Sequence, residues 1–319
     1  MGCTNSWFCT IILSNTLLAE DRSTPETSIN SSHEGLIRIK ELMVPALFGV
    51  SVTQINLLFD TFIASLLITG SVSWLYFSDR LMELPLGIFG VAIAVVILPA
   101  LSRKHAESST KEFSETLDWA LRLVCLIAIP STIGLTLLSE PLLATLFQNE
   151  NFSANDVISA AGSLRAYAFG LLAFMSIKVF SPGYFSRQNT RTPVRIGIIA
   201  MLLNMVLNIV FYLNGMAHVG LALATSIAAF VNAGLLFFGL IKERVFSFQS
   251  GWVRYSIQLF FANLILAIFL IFYAEELSIW LNWQAETKIL QLGVLVFGGI
   301  VIYFVSLFVL GLRWRHIHR

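Results

Sequence analysis

Residues 71–101 read SVSWLYFSDRLMELPLGIFGVAIAVVILPAL, and this stretch decides the fold. As a helix rising ~1.5 Å per residue it exceeds the ~30 Å of a bilayer's hydrocarbon. Yet Asp79, Arg80 and Glu83 stand inside it. A charge at that depth costs roughly 2.5–3.5 kcal/mol on insertion scales, so such residues generally face a protein-lined, watery cavity. Arg80 lies ~12 Å from the nearer end of the span and shares a helical face with Glu83, three residues on. Asp79 and Glu83, four apart, also share a face. Two readings stay open. Arg80 either meets an anionic cargo, because a guanidinium stays charged and can donate two parallel hydrogen bonds to phosphate, or makes a structural pair with Glu83 or Asp79. Pro85 has no amide hydrogen and clashes with the carbonyl of Leu81, which predicts a kink just past the charged turn.

The rest of the chain repeats the apolar pattern. Of 319 residues, 56% are apolar and 12% charged, about half the charged share of a soluble domain. Apolar spans run over about 42–68, 72–101, 118–139, 157–184, 193–213, 217–240, 254–274 and 289–312. Each can cross a membrane as a helix, and none has the polar face that a soluble bundle requires. The expected fold is therefore an all-α polytopic membrane protein of about eight spans.

Basic residues alternate between the connections. Arg38, Lys40, Arg103, Lys104, Lys111, Arg187, Arg191, Arg195, Lys242, Arg244, Arg254, Arg313, Arg315 and Arg319 fall on one side, and Lys288 alone on the other. The positive-inside rule makes the first side cytoplasmic, with both ends of the helical body there. The net charge of +1 gives no reason to expect a nucleic-acid partner. The connections on the other side hold no His, Asp and Glu cluster with catalytic spacing, which argues for transport over catalysis.

Several residues within spans carry chemistry. Asp60 is a carboxylate in the first span, next to Gln54 and Asn56. Asn204 and Asn208, four apart, share one face of the fifth span, and Thr225, Ser226 and Asn232 lie in the sixth. Such neutral groups serve as interhelical glue. With Asp60 they also form a set of hard oxygens suited to a small cation such as Na⁺. Arg165, in the fourth span, either lines the cavity of Arg80 or reaches outward to the interface; Lys178 is expected to snorkel inward. Asp118, Trp119 and Arg122 read as interfacial anchors. Ser181-Pro182-Gly183 is expected to end the fourth helix, ahead of a basic loop that either greets lipid phosphates or only sets topology. The last two spans carry Phe260, Phe261, Phe269, Phe272, Phe297, Phe304 and Phe308, an apolar surface for lipid.

Residues 1–34 differ from the remainder. They make neither a good signal peptide nor a good span, and their polar second half predicts disorder. Met1-Gly2 with Ser6 fits a myristoylation pattern that chance often produces. Cys3, Cys9 and Cys125 follow no metal or disulfide spacing.

The stretches VTQINLLFDTFIAS (52–65), GSVSWLYFSDRLMELPLGIFGVAIAVVILPALS (70–102), KVFSPGYFSRQNTRTPVR (178–195) and HVGLALATS (218–226) carry a resemblance. The chain from about Leu36 onward is similar to the lipid II flippases of peptidoglycan synthesis, the MurJ or MviN family of the MOP exporter superfamily. That resemblance implies fourteen helices, with two six-helix lobes around a cavity and two more helices bordering a lipid groove. Residues 35–245 look like the second lobe, and 246–319 like the two extra helices with a basic tail. The resemblance implies that Arg80 contacts the lipid II diphosphate, with Asp79 and Glu83 at the adjoining acidic positions. Asp60, Asn204, Asn208 and Thr225 resemble a sodium site of some members, so Na⁺ is the one coupling ion expected and no other cofactor is.

The implied location is the bacterial inner membrane. The implied partners are lipid II, membrane lipids and a separately encoded first lobe, for no such lobe is recognised here. A single lobe cannot enclose a two-lobed cavity, so this polypeptide is expected not to flip lipid II unaided. Other readings are a flippase for another polyprenyl-linked glycan, a different MOP-type exporter, and a non-transporting remnant or assembly partner.

Overall fold

A computed structural model describes residues 34–312. The expectations for residues 1–33, Cys3 and Cys9 among them, and for Arg313, Arg315 and Arg319 lie outside the described residues, as do those for the side chains of Arg38 and Lys40. The chain divides into two compact units, Met1–Met43 and Val44–Arg319. Among the described residues the second unit is helical apart from one isolated bridge, Asn149 with Phe152.

The helices are α1 (Glu34–Ser65), α2 (Ser71–Pro85), α3 (Val91–Ala106), α4 (Thr110–Leu137), α5 (Ser139–Leu146) and α6 (Ala154–Phe185). They continue as α7 (Arg191–Leu213), α8 (Ala217–Lys242), α9 (Trp252–Tyr273), α10 (Leu277–Asn282) and α11 (Ala285–Val309). Seven spans among the described residues are long and apolar enough to cross a membrane, counting Ser71–Ala106 as one. The expected first span is the helix α1, 32 residues long, which is not among those seven. The connections at about 140–156 and 275–288 contain the short helices α5 and α10, too brief to show an apolar period.

Pro85 is expected to kink the span, and the structure places a π-helical turn directly after it. Pro85 withholds a donor from Leu81, and the helix answers with a π-helical turn at Leu86–Gly90, closed by Val91 N–H to the Leu86 carbonyl. The span therefore widens by one turn and continues as α3. Pro182 does not act as expected, because α6 runs through it to Phe185. Gly183 is buried there beside Leu117 and Leu240, whose side chains an added Cβ would meet at an ordinary 3.5 Å. The chain reverses later, at Gln188, with φ 60°.

α6 is the central helix of this unit. Its small residues Ala160, Ala161, Ser163, Ala168 and Gly170 are buried and let α2, α4 and α8 pack closely. Side-chain donors complete the contacts. Ser78 Oγ donates to the Ala160 carbonyl at 2.7 Å, Trp74 Nε1 to Asp156 at 2.8 Å, and Ser226 Oγ to the Ala166 carbonyl at 2.6 Å. A Cβ on Gly170 would approach Ser226 Oγ to 2.6 Å. Gly170→Ala is thus expected to destabilise the protein by about 1–3 kcal/mol through overpacking. A thermal unfolding curve in detergent checks this, and an unchanged midpoint contradicts it.

Candidate functional site

α2 has two faces. Ser71, Trp74, Leu75, Ser78, Leu81, Met82 and Pro85 are buried. Tyr76, Arg80, Glu83 and Gly87 lie on the opposite side and are exposed. Arg80 Nη1 donates to Glu83 Oε2 at 2.8 Å, and its guanidinium stands 5.0 Å from the centroid of the Tyr76 ring. The pair expected from the three-residue spacing exists. It is far from a sealed structural pair, with side chains 56% and 49% exposed on a face left open. An exposed ion pair contributes little stability, so a stronger anion can displace Glu83. Asp79 does not join the pair. It is half-buried, with its charge in reach of Arg80, Glu83 and Asp60.

A polar cluster brings α1, α7 and α8 together. Asp60 accepts from Asn208 Nδ2 at 2.5 Å and from Asn56 Nδ2 at 3.0 Å. The amide of the buried Asn204 fits with its nitrogen 3.0 Å from Asn56 Oδ1 and from Asp60 Oδ1. Its oxygen then accepts from the Thr225 backbone N–H at 3.2 Å and lies 3.1 Å from Thr225 Oγ1. In the reverse orientation nitrogen faces Thr225 Oγ1 at 3.1 Å and oxygen accepts from Asn208 Nδ2 at 3.0 Å, a bond that the first orientation gives up. Asn208 Oδ1 is buried with no partner. The four residues expected of a cation site thus meet in space. Asn56 joins them, a member that its spacing of four from Asp60 could have revealed.

Arg165 is placed elsewhere. Its Nε donates to Ser139 Oγ at 2.9 Å and its Nη2 to Glu140 at 2.6 Å, at the start of α5. Of the two readings left open, these contacts match the outward one, not a shared position with Arg80. Arg187 pairs with Glu243 at 2.6 Å above the ring of Tyr184, which commits one arginine of the basic loop to joining α6 and α8.

Asp118 and Arg122 are not interfacial anchors. They form a buried pair at 2.8 Å, with side chains 3% and 7% exposed. Asp118 Oδ1 also accepts from Trp252 Nε1 at 2.6 Å and from Gln249 N–H at 3.2 Å, while Arg122 Nη2 donates to the Ser250 carbonyl at 3.0 Å. Tyr255 Oη donates to the Arg122 carbonyl at 2.6 Å and Tyr303 Oη to that of Leu126 at 2.7 Å. At the other end Trp280 Nε1 reaches Thr145 at 3.0 Å and Lys288 Nζ reaches Gln148 at 2.8 Å. The last two long helices are therefore tied by polar bonds to α4, α5 and the connection after α5. Their phenylalanines Phe260, Phe261, Phe272, Phe297, Phe304 and Phe308 remain exposed, as a lipid-facing surface requires.

This arrangement of membrane-length helices is the fold of MOP-superfamily transporters. It superposes on a solved structure described as "Lipid II flippase MurJ, inward closed conformation" with a TM-score of 0.72 and 24% identity, over 97% of this chain and 60% of that one. An outward-facing multidrug resistance MATE family transporter of the MOP superfamily matches with a TM-score of 0.57 and 18% identity, over 85% and 63%. At these identities the likeness speaks for the fold alone.

The sequence comparisons speak for the family. The profile described as "Lipid II flippase MurJ" matches residues 6–309, which extends the likeness upstream of Leu36 into the 1–34 stretch. "Probable lipid II flippase MurJ" of Vibrio cholerae is 49% identical over 282 residues, 88% of this chain and 53% of the relative. The protein of the same description from Haemophilus influenzae is 44% identical over 290 residues, 89% and 56%. The chain belongs to the MurJ lipid II flippase family. It is a multi-pass membrane protein and spans about half the length of the curated relatives it matches.

Proposed function

We propose that this chain supplies one wall of the cavity through which a bacterial inner-membrane flippase moves lipid II, with Arg80 receiving the diphosphate. One observation carries the reading: a guanidinium deep in a membrane span stands on an open face, held by a carboxylate that an incoming phosphate can replace. Glu83 accepts a single bond from Arg80 Nη1, whereas a phosphate carries more charge and can accept two, and the low-dielectric surroundings strengthen the exchange. The exposed phenylalanines of α9 and α11 leave the polyprenyl tail in lipid. The work is transport, not catalysis, and the opposing wall comes from a first lobe. The charge pattern of the connections puts both ends of the helical body in the cytoplasm.

Binding to purified protein tests the substrate. Lipid II is expected to bind at least about tenfold more tightly than undecaprenol, the difference being the diphosphate and head. Tighter binding of a polyprenyl-linked glycan of another type assigns the cavity to that cargo instead.

The cluster around Asp60 fits a sodium ion. One carboxylate, the side-chain oxygens of Asn208 and Thr225 and, with its amide oxygen turned toward Asp60, that of Asn204 are hard ligands, and the partnerless Asn208 Oδ1 is an acceptor that a cation would satisfy. Sodium at 100 times its dissociation constant is expected to add about 2.7 kcal/mol of stability. Asp60→Asn should remove that increment while potassium adds none to either form. Thermal shifts in sodium and potassium chloride check this; equal shifts in both salts contradict it.

A further inference from the structure

One intramembrane cation has no part in the transport reading so far. Lys178 lies well inside α6 and is exposed, and among the described residues it makes no ion pair. Unpaired ionisable groups at such a position are costly and usually line a pathway. Its direction follows from the helix. Tyr167, Leu171, Phe174 and Lys178 recur at spacings of four, three and four, which places them on one stripe of α6. Tyr167 on that stripe lies within reach of the charges of Asp60 and Asp79. Lys178 therefore belongs to the same side of α6 as the acidic flank of the Arg80 site, about 16 Å further along the helix.

The lysine stem packs on the π-helical turn. A Cβ on Gly90 would stand 3.6 Å from Lys178 Cγ, so the stem passes beside this buried glycine. Gly87, on the face of Arg80, is exposed, with open space where a Cβ would be. Arg80 and Gly90 are ten residues apart, about 15 Å along the helix.

We infer that Lys178 is a second cationic contact for the diphosphate of a polyprenyl-linked cargo, holding it on the Ala106 side of the Arg80 site. The inference rests on the reading of Arg80 as a diphosphate contact. The charge pattern assigns the Ala106 end to the cytoplasm, so Lys178 is met first on an outward passage and Arg80 second. The ammonium is a compact charge on a flexible stem, suited to a transient hold, and the fork of Arg80 to the more directional one.

The test uses two single-cysteine proteins, Lys178→Cys and Arg80→Cys, in a background with Cys3, Cys9 and Cys125 replaced by serine. A charged, membrane-impermeant thiol reagent should label both, and undecaprenyl diphosphate, raised to saturate each variant because each has lost one contact, should slow both by about tenfold, whereas undecaprenol should slow neither. No labelling at position 178 means that the side chain faces lipid and overturns the inference. Labelling that the diphosphate slows at 80 but not at 178 also overturns it and leaves the Arg80 reading standing. Slowing at neither position removes that reading and the inference with it. Lys178→Arg in the native background should keep diphosphate affinity within about threefold, whereas Lys178→Gln should lose about tenfold; equal affinities for the two contradict a role for the charge.

Discussion

Arg80→Ala is expected to abolish growth of a flippase-depleted strain when this chain, joined to the preceding half of a full-length relative, is its only flippase. The substitution removes the forked donors of the guanidinium and leaves Glu83 without its partner on the open face of α2. A charge-assisted contact contributes roughly 1.5–3 kcal/mol, so diphosphate affinity should fall by about 10- to 150-fold. Folding should be little affected, because an exposed pair contributes about 0–1 kcal/mol. Arg80→Lys keeps the charge but loses the fork and should fall between the two. Normal growth with Arg80→Ala at normal expression would take Arg80 out of the mechanism.

Asp118→Ala should have the largest effect on stability. The carboxylate neutralises Arg122 in a buried position and accepts from Trp252 and Gln249 as well. Its removal leaves a buried guanidinium unpaired, which costs roughly 3–5 kcal/mol. At roughly 2–4 °C per kcal/mol the unfolding midpoint should drop by about 10 °C. α9 and α11 should loosen first, since the connection from Gln249 to Trp252 hangs on this carboxylate. Hydrogen exchange resolved by segment can see that order. The double variant Asp118→Leu/Arg122→Met should recover part of the loss, because no charge is stranded, but not all, because the Trp252 and Gln249 donors still lack an acceptor. A double variant as unstable as the single one would show that the network acts through more than charge.

Much of this site was legible in the sequence, and the reasons are physical. A charge in a membrane span is so costly that Arg80 and Asp60 stand out without any structure. Pro85 announces a break in the hydrogen-bond ladder, since it lacks the donor. Four-residue spacing puts Asn204 beside Asn208. Each of these signals is local. Asp118 and Arg122 show the limit: near the end of a span they look the same whether they meet lipid headgroups or the chain from Gln249 to Tyr255. Pro182 shows another, since the helix continues to Phe185 through a buried segment past a residue that ordinarily stops one.

By itself the sequence determined the class of protein, the order of the apolar segments, the resemblance to lipid II flippases and the residues too expensive to be idle. Those depend on transfer energies and helical spacing, which act within one segment. Only the tertiary structure decided how those residues are shared out. It gave Arg80 to Glu83 on an open face, left Asp79 half-buried and outside that pair, sent Arg165 to Glu140, and buried Asp118 with Arg122. Each choice depends on which helix covers which face, and that is settled by packing across the chain, which no local spacing encodes.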